Sequence, residues 1–321
     1  MHVLIVPTDF TGSLTAVQAA AAMAQGWSQA APHDVLATVP ISDGGPGFVD
    51  VVAAAAGGRL HACVTTDPLG RSVPATILLA EVAGRSTAYV ESAQAVGLHL
   101  LAVDERDPTQ TTSFGMGALL AAAVDLGATR IVVGLGGSGT NDAGAGLLTA
   151  LGVGTRARLG AGGLALLDAR EDDLDRLEAA RRLFTGIDLV AATDSEAPLL
   201  GLKGTSAMSA VGKGASQEQA QRLENAIGHF ASIVSRVRPP ATDLLSGALL
   251  RPERDPGAGA AGGLGYALRL LGARRVGGVR AVLDAAQFDT LLRAADLVVT
   301  GEASFDWESL HGPVMQVAVA A

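Results

Sequence analysis

The chain has 321 residues, which at ~150 residues per domain leaves room for two domains. Its formal charge is −9 with 17% charged residues, which argues against a nucleic-acid or anionic-membrane surface, and 49% apolar residues argue against disorder. Aromatics are only 3% while glycines number 41, so the core must be small and aliphatic and the backbone must often turn tightly or approach a ligand.

Residues 1–6 predict a short apolar strand. A polar break at 8–13 follows, and Ser13 or Thr15 is placed to cap a helix running to residue 30. A second strand over 35–41 leads into the glycine-rich turn 42–47 and a helix over 48–56. This alternation is the rhythm of a parallel sheet. The pattern changes at Gly57 and Gly58, a candidate domain boundary. Short strands over 60–65, 75–79 and 86–90 fit an antiparallel or mixed sheet. A helix over 113–126 precedes a strand over 130–135, and the loop 136–140 opens a helix over 142–151. A charged surface helix is expected over 172–184 and a strand over 187–192. The stretch 217–236 reads as an amphipathic helix with Leu223, Ile227, Phe230 and Val234 on one face, and 297–300 as an internal parallel strand.

Cys63 is the only cysteine, which excludes an internal disulfide and a cysteine-built zinc cluster. The first basic residue is Arg59 and no run of ~20 apolar residues occurs, so neither a secretory leader nor a membrane span is expected, and the cytoplasm is the expected compartment. Lys203 and Lys213 are the only lysines, so a lysine that meets phosphate must be one of these two.

Five apolar strands each run into an acid: Asp9, Asp43, Asp142, Asp194 and Glu302. Ligands of open α/β sheets bind beyond the carboxyl ends of the strands, where carboxylates can hold Mg²⁺ and take a proton from a substrate hydroxyl. The same residue type also caps helices and shapes turns. Residues 134–139 read G-L-G-G-S-G between a strand and a helix, an arrangement that aims N–H groups at an anion. The ribose-binding acid expected ~20 residues beyond is missing. A second match, 257–262, follows no strand, so both loops fit either anion binding or close helix packing. Gly212-Lys213 is followed by Gly214, so no Walker A loop is present, and no H-E-x-x-H or G-x-S-x-G occurs. His311 is near Glu302 and Asp306 in sequence and is a weak candidate.

Several segments in chain order resemble the bacterial glycerate kinase family, the type unrelated to P-loop kinases. P-T-D-F-T-G-S-L at 7–14 resembles P-D-S-F-K-G-S-L, and S-D-G-G-P-G at 42–47 resembles A-D-G-G-E-G. Asp107-Pro108 with Thr111-Thr112-Ser113 resembles D-P-x-x-T-T-S, and 134–146 resembles G-x-G-G-S-A-T-N-D-G-G-A-G. Gly212-Lys213-Gly214-Ala215 resembles P-Q-K-G-A, 256–263 carries the family's P-G-A-G-A-A-G-G, and Val299 to Glu302 with Asp306 resembles I-T-G-E-G-R-x-D.

The resemblance implies an α/β protein: a discontinuous Rossmann-like parallel-sheet domain, 1–58 plus 284–321, with a mixed α/β domain, 59–283, inserted into it. It implies phosphorylation of glycerate by ATP with Mg²⁺, usually at the 2-hydroxyl, in the cleft between the two. Asp43, Asp142 and Asp194 are then the candidates for substrate activation, with Asp43 and Asp194 as Mg²⁺ ligands. Substrate or phosphate contacts are expected from Asp9, Ser13, Gly44, Gly45, Gly136, Gly137, Ser138, Thr140, Asn141, Lys213, Gly259, Gly262, Glu302 and Asp306. Thr11, Pro46, Ser304, Pro313 and Ala197 replace residues of the family pattern, and three of these changes remove a cation. A kinase of another small hydroxy acid or polyol, or a non-catalytic nucleotide-binding homologue, are the alternatives. The family pattern continues beyond residue 321, so the last strand is expected at an exposed sheet edge that a homodimer could cover.

Overall fold

The computed structural model describes residues 1–10, 12–242, 247, 249–304 and 312–320. Thr11, Asp306 and His311 lie outside the described residues. Nine strands form two sheets among the described residues. They are β1 (His2–Pro7), β2 (Val35–Thr38), β3 (Arg59–Thr66), β4 (Ser72–Val82), β5 (Arg85–Glu91), β6 (Arg130–Gly134), β7 (Asp188–Ala192), β8 (Arg274–Val276) and β9 (Leu297–Gly301).

The smaller sheet is parallel, in the order β2-β1-β9, with Val3 beside Leu36 on one side and Leu297 on the other. The larger sheet runs β3-β4-β5-β6-β7-β8. Its first three strands are antiparallel and the rest are parallel, so the sheet is mixed and the protein is α/β.

Alternate residues of the larger sheet feed two cores, as the period of a strand requires. Ile77, Val90, Ile131 and Val133 pack with Leu120, Leu147, Ile227 and Leu264 of helices Met116–Asp125, Ala145–Ala150, Gln217–Val237 and Ala260–Leu270. Leu78, Tyr89, Val132 and Val190 face the other way. They meet Phe48 and Val52 of helix Phe48–Ala56 and Val279 and Val282 of helix Gly278–Ala285. Leu4 and Val6 of β1 join this second core, which therefore ties the two sheets together.

The first helix is Ala16–Ala30, and Thr15 is its cap: its Oγ1 accepts from the N–H of Gln18, whose side chain accepts from Thr15 N. Ser13 instead donates its hydroxyl to Phe10 O within the preceding turn. The strand expected over 35–41 ends at Thr38, yet Val39 and Ile41 still donate to Ile5 and Pro7. The charged helix shrinks to Leu177–Arg182. The helix expected from residue 142 starts at Ala145, because Asp142 turns back to accept from the N–H groups of Gly144 and Gly146.

β8 was not legible because it has three residues, two of them arginines. Helix Ala260–Leu270 was hidden by its glycines: Ala261, Gly262 and Gly263 adopt the left-handed conformation, and Gly262 has φ +75°. A methyl group there would collide with the carbonyl oxygen of Thr140. No helix among the described residues is long and apolar enough to cross a membrane.

Thr15→Ala is expected to cost about 1 kcal/mol as a lost helix cap. Gly262→Ala should cost at least about 2 kcal/mol, because left-handed strain and the collision add. Urea unfolding followed by circular dichroism measures both, and a Gly262→Ala midpoint equal to that of the wild type would contradict the packing described.

Candidate active site

A cleft of about 890 Å³ opens where the smaller sheet ends. Pro7 leads into Thr8 and Asp9, Gly301 into Glu302, and Ile41 into Ser42 and Asp43, so all three chain segments exit on one side. Thr8 N donates to Gly301 O at 2.9 Å and keeps the first two exits together. Asp9, Ser13, Asp43, Gly45 and Glu302 all line this cleft.

The turn 42–47 is shaped by its own side chains. Asp43 Oδ1 accepts from Gly45 N at 2.9 Å and Ser42 Oγ accepts from Gly44 N at 3.2 Å. Asp43 Oδ2 enters no hydrogen bond with the described residues, and the side chain is exposed at the cleft. The turn is also pressed against the larger sheet. A methyl group on Gly44, at φ +102°, would meet the carbonyl oxygen of Ala192, and one on Gly278 would meet that of Asp43.

Asp194 follows β7, so these backbone contacts bring it beside Asp43. Its Oδ2 accepts from Val279 N at 3.1 Å, and its Oδ1 accepts from Gln316 Nε2 at 3.5 Å. Burial pushes the Asp194 carboxyl above the ordinary range, and the negative charge of Asp43 adds to the effect. Two carboxylates from different sheets thus face one region, a common way to lodge a hard cation or a proton acceptor. Among the described residues no three acidic, histidine or cysteine side chains gather as a ready metal cluster.

The loop 136–140 lies next to the turn. Gly136 approaches Gly45, and Gly137 approaches Pro46. Behind it sits Lys213, buried, donating to Ser138 Oγ at 2.9 Å and to Thr140 O at 2.8 Å. Burial lowers its pKa from 10.5 to about 8, and Asp142 only partly opposes this. Asn141 receives the Thr205 hydroxyl on Oδ1 and donates to Ser206 Oγ, at 3.1 and 3.0 Å.

Asp142 is 0% exposed and away from the cleft lining. Its Oδ2 accepts from Ser113 N at 2.7 Å and from Ser113 Oγ at 2.9 Å, in addition to its two glycine contacts. Gly259 and Gly262 are buried against neighbouring backbone: Gly259 N donates to Ala197 O, and Gly262 O accepts from Ala143 N. The expected residues therefore fall into a set that lines the cleft, Asp9, Ser13, Asp43, Gly45 and Glu302, a half-buried Asp194 and a buried Gly44 beside it, and a buried set behind the loop 136–140.

Gln316 and Gly278 were not foreseen. The Gly277-Gly278 pair at the head of an apolar stretch was a signal of close approach, whereas nothing in the sequence marks Gln316 as a neighbour of Asp194.

The sequence profile of the Glycerate kinase family matches residues 3–321. The chain is 38% identical to "Glycerate kinase" of Bacillus subtilis (strain 168) over 318 residues, 97% of this chain and 79% of that protein. It is 37% identical to "Glycerate 2-kinase" of Escherichia coli (strain K12) over 321 residues, 98% of this chain and 80% of that protein. The crystal structure of a protein described as putative glycerate kinase 2 from Salmonella typhimurium LT2 superposes with a TM-score of 0.81 at 35% identity, covering 100% of this chain and 84% of that one. With two thirds or more of each relative covered at these identities, and a mixed α/β architecture in common, the chain belongs to the glycerate kinase family.

Proposed function

We propose that the chain transfers the γ-phosphoryl group of ATP to the 2-hydroxyl of glycerate in the cleft beside Asp43 and Asp194. Membership of a kinase family carries the use of ATP. The observation that supports this site is the meeting of Asp43 and Asp194, delivered by different sheets and held by backbone contacts rather than by an opposing cation.

The hydroxyl oxygen attacks the γ-phosphorus. The new O–P bond forms as the bond to the bridging oxygen breaks, ADP leaves, and the hydroxyl proton passes to the carboxylate pair. Such a reaction needs positioning and charge stabilisation more than covalent help. Asp43 and Asp194 are an all-oxygen donor pair, the kind that suits Mg²⁺ together with phosphate oxygens. Mg²⁺ bound there supplies neutralisation of the charge on the transferring group.

Asp9, Ser13 and Glu302, around the same cleft, orient the substrate's oxygens in this reading, and the N–H groups of Gly136 and Gly137 face the phosphates, those of Gly44 and Gly45 being taken by Ser42 and Asp43. Asp142, Asn141, Lys213, Gly259 and Gly262 act behind them, holding the loop 136–140 in shape. We assign the smaller sheet to a lobe of residues 1–58 and 284–321 and the larger to 59–283; the described lining of the cleft belongs to the first lobe, and the loop 136–140 of the second approaches it through Gly45 and Pro46. The cytoplasm, where ATP is held, is the compartment this activity calls for.

Asp43→Asn and Asp194→Asn should each reduce ADP release in the presence of glycerate by at least about a hundredfold, the scale seen when one charge-stabilising group is lost. Their melting temperatures should stay within a few degrees of the wild type. Full turnover in both variants would remove the pair from the site, and a wild type inactive on glycerate would remove the substrate.

Lys213 gives a pH prediction. Its folded-state pKa, about 8, lies below the ordinary 10.5, so between these values the unfolded chain binds more protons than the folded one. Stability must then rise with pH across that window. Denaturant unfolding at pH 7.5, 9 and 10.5 should show this rise in the wild type relative to Lys213→Met. Parallel profiles would mean that Lys213 is not buried against Ser138 and Thr140.

A further inference from the structure

Glu91 ends β5 and is 6% exposed. Its Oε2 accepts from Val49 N at 3.2 Å, and the carboxylate lies near the backbone N–H groups of Gly47 and Phe48, of which that of Phe48 donates to Gly45 O. These N–H groups open helix Phe48–Ala56, whose cap position is Gly47 and has no side chain to offer. The first N–H groups of a helix lack partners within the helix, and its N-terminus carries partial positive charge. Here a carboxylate from the other sheet satisfies that of Val49. Burial pushes the Glu91 carboxyl above its ordinary range, the negative charge of Asp50 adds to this, and the nearby N–H groups oppose only part of it.

The helix begins directly after the turn that carries Asp43. We infer that Glu91 is a positioning residue for phosphoryl transfer: it pins the start of this helix to the larger sheet, sets where Asp43 stands relative to Asp194, and fills the helix N-terminus so that no phosphate binds there. This inference rests on the kinase reading of the cleft. It also leaves the anion contacts of the ligand to the N–H groups of Gly136 and Gly137, because the start of this helix is already taken by the protein's own carboxylate.

Glutamine at position 91 keeps the shape but turns an NH₂ group toward N–H donors. Alanine leaves those donors unpartnered and opens a space of carboxylate size. In Glu91→Gln, kcat should fall about tenfold through displacement of Asp43 while KM for ATP stays within about threefold. Its melting temperature should change by only a few degrees, since the neutral group removes a costly buried charge.

In Glu91→Ala, kcat should fall further, and formate, a small carboxylate that fits the vacated space, should raise it several-fold without affecting the wild type. Amide exchange at 47–49, followed by mass spectrometry, should quicken in both variants and slow again with formate in the alanine variant.

Wild-type kcat and unchanged exchange in Glu91→Gln would overturn the inference, as would an alanine variant whose kcat and exchange ignore formate. If Glu91→Ala does not fold, the glutamine variant decides alone. Should the wild type leave glycerate unphosphorylated, the kinase reading falls by itself. Unchanged exchange at 47–49 then still overturns the role of Glu91, and faster, formate-sensitive exchange upholds it.

Discussion

The geometry of the cleft depends on one backbone-to-backbone contact. The turn containing Asp43 and Gly44 leaves the smaller sheet and lies directly on the ends of the larger one, with Gly44 against Ala192 and Gly278 against the carbonyl of Asp43. Two acids that no local sequence pattern links thereby become neighbours. The contact is tight because glycine removes the side chain from both sides of it. It is stiff because Phe48, Val49 and Val279, all buried, sit immediately behind it in one core. Interiors packed at this density transmit displacement instead of absorbing it.

Charge has an unusual distribution around this contact. The described lining of the cleft includes Asp9, Asp43, Asp50 and Glu302 and no lysine or arginine. The lysine nearest the glycine loop is turned inward, bonded to Ser138 and Thr140. An anionic substrate and a nucleotide triphosphate entering such a site need their charge met by a bound cation and by oriented N–H groups. The carboxylates are consistent with that demand, since acids at strand ends attract the cation that in turn attracts the phosphates.

Much of the strand order was readable from composition. The continuous apolar run Ile131-Val132-Val133, the amphipathic stretch carrying Leu223 and Phe230, and the turn residues of 42–47 signal their elements through hydrophobic patterning and turn chemistry. The candidate acids were visible because apolar strands ran straight into them. Other features depended on contacts between distant segments. Glu91 falls just past the strand expected over 86–90, and only the approach of helix Phe48–Ala56 gives its carboxylate work. Asp142 had the same local appearance as Asp43, and it is the surrounding Ser113, Gly144 and Gly146 that make it an anchor. Gly262 read as a phosphate-loop glycine, and its left-handed backbone against Thr140 shows a packing reason for the same residue.

The central claim is that the approach of the Asp43 turn to the larger sheet creates the reactive site. Gly278→Ala tests it most directly, because the atoms nearest the added methyl group are all backbone atoms of Asp43, so it shifts that turn without altering the Asp43 carboxylate itself. Steady-state ADP release with glycerate should show kcat reduced by about a hundredfold, the scale of a misplacement of about 1 Å, in a protein that still unfolds cooperatively. A Gly278→Ala protein with wild-type kcat would show that the position of Asp43 against the larger sheet does not govern the chemistry.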